Sequence, residues 1–380
     1  MTYYFDYAAA TPVLPEVLTA MQPYFSEQFY NPSAIYMAAR AVKKDLQVAR
    51  ATVARQIGAK PSEIVFTAGG TEANNLAITG VASQYDNPHV VVSQIEHESV
   101  LMPAKKHTTS FITVNSAGRI DIHSLPKIIT DETVLVSVIL ANNEIGTIQD
   151  LRAVTTLAAE ITKDRLKRGI LRPLLVHTDA CQAVNYVDIH VARLGIDLMT
   201  INSGKIYGPK QAGALFVKTG TQLAPLILGG GQEHNLRSGT ENVANYIGLA
   251  AAISILTSAR AEEVQRLAAL QTRLIDELVD GKTIRLNGES KKWRLVNNVH
   301  LTLAGTDNER ILMELDERGI QVATGSACAA SSGEPSHVLS AIGLSDKDAR
   351  SSIRISLGRH TTASQCAQLI HAIKEVVAKS

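Results

Sequence analysis

Short apolar runs alternate with amphipathic stretches along most of the chain. Ile64-Val65-Phe66, Val90-Val91-Val92, Phe111 to Val114, Val134 to Leu140, Leu174-Leu175-Val176 and Ala212 to Val217 read as strands. Such unbroken apolar runs suit a sheet covered on both faces. Between the runs, apolar side chains recur at helical spacing. Val42, Leu46, Ala49, Val53 and Ile57 share one face, and Gly58 is placed to end that helix. Val154, Leu157, Ala158 and Ile161 mark another, starting near 151 and closed by Gly169. Pro15 is placed to open a short helix, and Asn31-Pro32-Ser33 reads as a turn with a helix start. The interval between Asn185 and Ile201 reads as helical. This rhythm predicts an α/β protein with a mostly parallel sheet. Further on, Leu267, Leu270, Leu274 and Leu278 lie on one face of a long helix ended by Gly281. A strand (295–303), a helix (308–318), a strand, a helix, a strand (352–357) and a last helix (363–378) then predict a smaller α/β unit.

Polar side chains recur where the first set of strands ends: Thr71, His97, Asn143, Asp179 with Gln182, and Lys205. Open α/β sheets bind ligands at such an edge. The turn 67–72 leads from a strand through Gly69-Gly70 into a helix start. Free N–H groups and the helix dipole there favour an anion, with the Thr71 hydroxyl adding a donor; an ordinary strand–helix turn is the other reading. The turn is neither a P-loop nor G-x-G-x-x-G. Asp179 ends an apolar run, and Lys205 sits in the small-residue turn Asn202-Ser203-Gly204-Lys205. A lysine to hold pyridoxal phosphate as a Schiff base and an acid for its ring nitrogen are what that cofactor needs. A loop-capping Asp179 and a solvated Lys205 are the alternative. Residues 229–242 are too glycine-rich for a regular element. Cys328 stands among Gly, Ala and Ser in 325–333, a setting for an accessible nucleophilic thiol, whereas Cys366 in a helical stretch reads as a core residue. Arg354 lies in a strand with apolar neighbours, so its guanidinium needs a carboxylate: an internal partner or that of a substrate.

Composition narrows the class. The 380 residues are 45% hydrophobic, enough for a large and a small domain. Lys and Arg number 37 against 36 Asp and Glu, which argues against a broad nucleic-acid surface. The 3 cysteines, Cys181, Cys328 and Cys366, form neither a disulfide framework nor a zinc cluster. No basic-then-apolar leader and no apolar run of membrane-spanning length are evident, so a cytoplasmic protein without membrane contact is expected.

The segments FDYAAATP, NPS, EIVFTAGGTEANNLAI, EHESV, ANNEIGTIQD, HTDACQAV, GKIYGPK, GGGQE, LRSGTEN, GSACAASSGEPS and SSIRISLGR follow one another in an order similar to the cysteine desulfurases of the NifS/IscS type. The resemblance spans nearly the whole chain. It implies the pyridoxal-phosphate-dependent transferase fold of type I, with a mostly parallel seven-stranded sheet in a large domain (14–255). An N-terminal arm (1–13) would pack with a small C-terminal domain (256–380) carrying the catalytic cysteine loop. It further implies that Lys205 carries the cofactor, Asp179 pairs with the ring nitrogen, and Gln182, with Asn143 nearby, meets the ring oxygen. His97 would stack on the ring and transfer protons. Gly70, Thr71 and Ser203 would hold the phosphate, joined by Thr240 from the partner of a homodimer. Arg354, with Asn143, would bind the substrate carboxylate, and Cys328 would accept sulfur from L-cysteine. The persulfide would go to an iron–sulfur scaffold or a tRNA-thiolation enzyme, without direct nucleic-acid contact. The chain departs from the family pattern Ser-Gly-His-Lys at 202–205, has Gln211 where glycine is common and His234-Asn235 where Arg-Gly is common, and ends soon after its last helix, which leaves the tRNA-thiolation role open. Another enzyme of the same class, a selenocysteine lyase or an aminotransferase, is the alternative; neither needs a thiol at 328.

Overall fold

A computed structural model describes residues 2–325 and 335–378. The strands are β1 (Tyr3–Tyr4), β2 (Ile64–Thr67), β3 (His89–Ser93), β4 (Thr108–Ile112), β5 (Thr133–Ser137), β6 (Leu175–Asp179), β7 (Leu198–Asn202), β8 (Gly213–Val217), β9 (Ile284–Leu286), β10 (Asn298–Leu303), β11 (Ile320–Gln321) and β12 (Ser352–Ser356). Seven of them form one sheet in the order β2-β8-β7-β6-β5-β3-β4. All neighbours are parallel except β8, which runs antiparallel to β2 and β7.

Both faces of this sheet are buried, as the continuous apolar runs require. Phe66, Val136, Val176, Met199 and Phe216 enter one core with the Met37–Ile57 and Leu151–Lys167 helices. Their neighbours Val65, Leu135, Leu198 and Leu215 enter a second layer with the Gly70–Ala82 and Glu98–Ala104 helices. The Met37–Ile57 helix buries Val42, Leu46, Ala49, Val53 and Ile57, and Gly58 ends it at φ +70°. It starts at Met37, later than the Asn31 turn, where the Asn31 carboxamide accepts from the Ser33 N–H.

The second sheet is antiparallel, in the order β12-β10-β9. Val299, Leu301, Leu303, Ile353 and Ile355 point into a separate apolar core, while His300 and Arg354 pair across the other face. The Val243–Leu278 helix serves both cores: Leu249, Ile253 and Leu256 pack in the first, Leu267, Leu270, Leu274 and Leu278 in the second. By length and composition it is apolar enough to cross a bilayer, contrary to the sequence expectation, and half of its most apolar window is buried in protein. The N-terminal stretch runs along the smaller sheet: β1 pairs in parallel with β11, Phe5 enters its core, and the Ala8 N–H donates to Ser356 Oγ at 2.9 Å.

Two strands depart from the sequence expectation. β4 begins at Thr108 and ends at Ile112, so the apolar signal at 111–114 marks only its end. β7 occupies part of the interval read as helical, which contains only the four-residue helix Val191–Leu194.

Candidate active site

The ends of β3, β5, β6 and β7 and the start of the Gly70–Ala82 helix surround a cleft of about 550 Å³. Its walls include Gly70, Thr71, His97, Asn143, Asp179, Gln182, Lys205 and Arg354. Eight of the residues singled out in the sequence thus meet in one place. The lining also contains Ala8, Ala9, Asn74, Ser99, Cys181 and Asn202.

Asp179 ends β6 and is 5% exposed. Its Oδ1 accepts from the Cys181 N–H at 2.9 Å and its Oδ2 from the Asn74 amide at 2.7 Å. Lys205 follows β7 in the short helical turn Ser203–Lys205. Its Nζ donates to the carbonyls of Ala8, at 3.0 Å, and Ala9. Burial lowers the Lys205 pKa, because the desolvated ammonium is disfavoured. The amine is therefore closer to its nucleophilic form than a solvated lysine. The stretch at 8–11 is fastened to this turn: Thr11 Oγ1 donates to the Gly204 carbonyl at 3.1 Å and accepts from the Tyr207 N–H at 2.8 Å. Gln182 donates to the Ala8 carbonyl at 2.9 Å.

The Gly70–Ala82 helix begins at the cleft with no side-chain cap. Its N-cap Gly69 has φ +137°, which favours glycine. A Cβ on Gly213 would come within 2.7 Å of the Gly69 backbone. The two glycines let β8 and this turn approach closely. An adjoining opening of about 1050 Å³ is lined by Gly69, Gly70, Thr71, Asn202, Gly204 and Lys210, among others.

Of the two neighbours Ser203 and Asn202, it is Asn202 that lines the cleft. Ser203 is fully buried, its Oγ has no hydrogen-bond partner among the described residues, and a Cβ on Gly208 would lie 2.1 Å from it. The hydroxyl thus packs beneath the turn instead of lining the cleft. Asn202 lines it, with Oδ1 accepting from the Gly204 N–H at 3.1 Å. Thr240 is exposed and does not line the cleft of its own chain.

Both partners considered for Arg354 bear on its position. Its Nη2 pairs with Asp6 Oδ1 at 2.7 Å, its Nη1 donates to the Asn143 carbonyl at 3.0 Å, and its Nε has no partner among the described residues. Yet the side chain also lines the cleft. Cys328 lies outside the described residues. The residues flanking that segment meet one side chain: Ser336 Oγ donates to Glu144 Oε2 at 2.6 Å, and a Cβ on Gly325 would lie 3.3 Å from the same oxygen. Glu144 is the neighbour of Asn143 in the cleft wall. Cys181 is buried, and burial with the Asp179 charge raises its thiol pKa well above normal. Cys366 is fully buried in the Ala363–Ala378 helix, as expected.

The aminotransferase class-V family profile matches residues 3–369. The chain belongs to this family. Similarity to individual class V relatives extends over nearly all of it. It is 40% identical over 384 residues to the cysteine desulfurase IscS of Dictyoglomus turgidum, covering 99% of this chain and 94% of that one. A solved NifS-like protein superposes with a TM-score of 0.90 at 29% identity, covering all of both chains. A structure described as SspA in complex with cysteine is 35% identical, with a TM-score of 0.81, covering 95% of this chain and 100% of that one. The fold is the pyridoxal-phosphate-dependent transferase fold of type I.

Class V enzymes are known to use pyridoxal phosphate. The groups in the cleft fit that molecule by their chemistry. A buried amine of lowered pKa suits its aldehyde, and a carboxylate with two fixed donors suits its ring nitrogen. An imidazole and an amide flank the space between, and an uncapped helix start beside Thr71 suits its phosphate. Sequence reasoning missed Asn74, Ser99 and the Ala8 and Ala9 carbonyls. The spacing Asp179 to Lys205 gave no sign of them, because they arrive from other elements.

Proposed function

We propose that this protein is a cysteine desulfurase that uses pyridoxal phosphate to move sulfur from L-cysteine to Cys328, leaving L-alanine. The observation that carries the reading is the convergence of Lys205, Asp179, His97 and Arg354 on one cleft beside Glu144, where the flanks of the Cys328 segment meet. The similarity to cysteine desulfurases over nearly all of the chain supports it.

Bound pyridoxal phosphate supplies an electron sink for bond changes at the substrate α-carbon. Lys205 would carry it. Asp179, held by Asn74 and Cys181, would keep a proton on the ring nitrogen. Gln182 and Asn143 would meet the ring oxygen. Gly70, Thr71 and Asn202 would hold the phosphate, with Thr240 reaching it from a second subunit. The Arg354 guanidinium would take the carboxylate of L-cysteine, with Asn143 beside it. His97 covers one wall and exchanges a proton with the substrate. The Cys328 thiolate then attacks the substrate sulfur: a Cys328–S bond forms, the substrate C–S bond breaks, and the carbon takes up protons to become alanine. Sulfur leaves as a persulfide for an acceptor in iron–sulfur assembly or tRNA thiolation.

In this reading the N-terminal arm (1–13) packs with the small domain (256–380), and residues 14–255 form the large domain. A homodimer is supported by an exposed apolar surface at 25–37, where Ile35 is 83% and Met37 87% exposed, and by Leu228 at 80% in the loop preceding Thr240. A cytoplasmic setting is supported by the free thiols of Cys181 and Cys366. Incubating the purified protein with L-cysteine and a reductant tests the function. Equal amounts of alanine and sulfide are expected, with neither formed catalytically by Cys328→Ser. Pyruvate in place of alanine, or full activity in Cys328→Ser, would overturn it.

A further inference from the structure

The two walls of the cleft that carry Asp179 and His97 are joined by hydrogen bonds of which the mechanism above uses only the one from Asn74 to Asp179. The Asn74 amide nitrogen lies 2.7 Å from Asp179 Oδ2 and 2.8 Å from Ser99 Oγ. Ser99 Oγ is in turn 2.8 Å from His97 Nδ1. Asn74 and Ser99 are both buried, at 1% and 8% exposure. We propose that Asn74 and Ser99 are positioning residues that lock His97 with its proton on Nε2 and tie its ring to the carboxylate of Asp179. This rests on the desulfurase reading only in assigning His97 its work; the tautomer follows from the hydrogen bonds.

The direction of each bond is fixed by counting donors. An ionised Asp179 has only lone pairs to offer, so the Asn74 group facing it is the NH2 and not the carbonyl. That NH2 has two hydrogens, one for Asp179 and one for Ser99 Oγ. The Ser99 oxygen therefore accepts, and its own hydrogen is free for His97 Nδ1. The Ser99 backbone N–H points at the same nitrogen from 3.1 Å, with His97 as N-cap of the Glu98–Ala104 helix. Two donors aimed at Nδ1 leave no room for a proton there, so neutral His97 holds it on Nε2. Asn74 Oδ1 is buried without a partner among the described residues.

The consequence concerns proton traffic. Neutral His97 offers an N–H, not a lone pair, from Nε2. It faces the cleft as a hydrogen-bond donor in this state and can take part in proton exchange only once its ring is protonated, and the amine of Lys205 is the base facing the same cleft. The other charged groups around His97 are Asp179 and Arg354 in the cleft, and Glu98 with His337, 3.5 Å apart, outside it. Glu96, its chain neighbour, is fully buried, and burial pushes its carboxyl up to about 8, which favours the protonated form.

The test uses 15N-histidine-labelled full-length protein without cofactor or substrate, with His97 assigned from its missing signals in His97→Gln. Long-range 15N–1H spectra should show the Nε2–H tautomer. Ser99→Ala should keep that tautomer, because the backbone N–H remains. The 15N signal of His97 Nδ1 should nevertheless move, since one of the two hydrogen bonds to that nitrogen is lost. Asn74→Ala should move the same signal by less. If that variant melts early, Ser99→Ala decides alone. A proton on Nδ1 in the wild type, or an unmoved Nδ1 signal in a folded Ser99→Ala, would overturn the assignment. These readouts stand whether or not the enzyme makes alanine from cysteine, so a failure here is distinct from a failure of the proposed function.

Discussion

Replacing Arg354 by alanine separates the two tasks its surroundings suggest. Arg354 is 2% exposed; it spends Nη2 on Asp6 and Nη1 on the Asn143 carbonyl while lining the cleft. A charge-assisted hydrogen bond contributes about 1.5–3 kcal/mol, so losing one to the substrate carboxylate corresponds to a rise of roughly 10- to 150-fold in the KM for L-cysteine. The ion pair has its own cost. Breaking a buried pair destabilises by about 3–5 kcal/mol, and the low end applies because the Asp6 side chain keeps 21% of its surface in water. Asp6→Asn keeps an oxygen for Nη2 and hence the placement of Arg354. It should lower the melting temperature while changing KM by less than about threefold. The assay is initial alanine formation across L-cysteine concentrations, beside the melting temperature and the bound-cofactor spectrum of each variant. Arg354→Ala with wild-type KM and only a lower melting temperature would show that the guanidinium serves Asp6 alone.

Other expectations follow from the same geometry. Asn202→Ala should weaken retention of pyridoxal phosphate by roughly 2- to 10-fold in equilibrium dialysis, the equivalent of one hydrogen bond, whereas Ser203→Ala, whose hydroxyl points away from the cleft, should leave it unchanged. Arg50→Ala should destabilise by about 3–5 kcal/mol in chemical denaturation, because it strands Glu233, which Arg50 grips at 2.6 and 2.7 Å with both side chains nearly dry. Glu96 has a folded pKa of about 8, raised by burial from 4.5, so its stabilising effect is whole below about pH 4.5 and fades as pH climbs through 8. Glu96→Gln, which mimics the protonated form, should therefore gain melting temperature relative to wild type between about pH 5 and 8 and no further above it; a difference independent of pH would refute the buried neutral carboxyl.

The large sheet was legible in the sequence because strands buried on both faces leave continuous apolar runs: Val90-Val91-Val92 and Ala212 to Val217 mark β3 and β8 closely. β7 was not, because its run is interrupted by Thr200 and ends in Asn202, and periodicity cannot separate so short a strand from a helix segment. The strand-end residues Asp179 and Lys205 were visible as charges in small or apolar settings. Asn74 and Ser99 were not, since an asparagine on a helix and a serine after a histidine look like surface residues until the fold brings them to Asp179. Ser203 shows the same limit in reverse. Side-chain direction in the turn at 202–205 depends on the packing of Gly208, so residue type alone did not show that Asn202 lines the cleft while the Ser203 hydroxyl packs beneath the turn. The pairing of Asp6 with Arg354 spans nearly the whole chain and has no local signal at all.

In the proposed reaction sulfur passes through Cys328 and not through Cys181, the thiol already in the cleft wall. Mass spectrometry of peptides after brief exposure of the holoenzyme to L-cysteine without reductant tests this. One added sulfur is expected on the peptide containing Cys328, lost on treatment with a reductant, and none on Cys181 or Cys366. Added sulfur on Cys181, with Cys328→Ser still producing alanine at the wild-type rate, would contradict it.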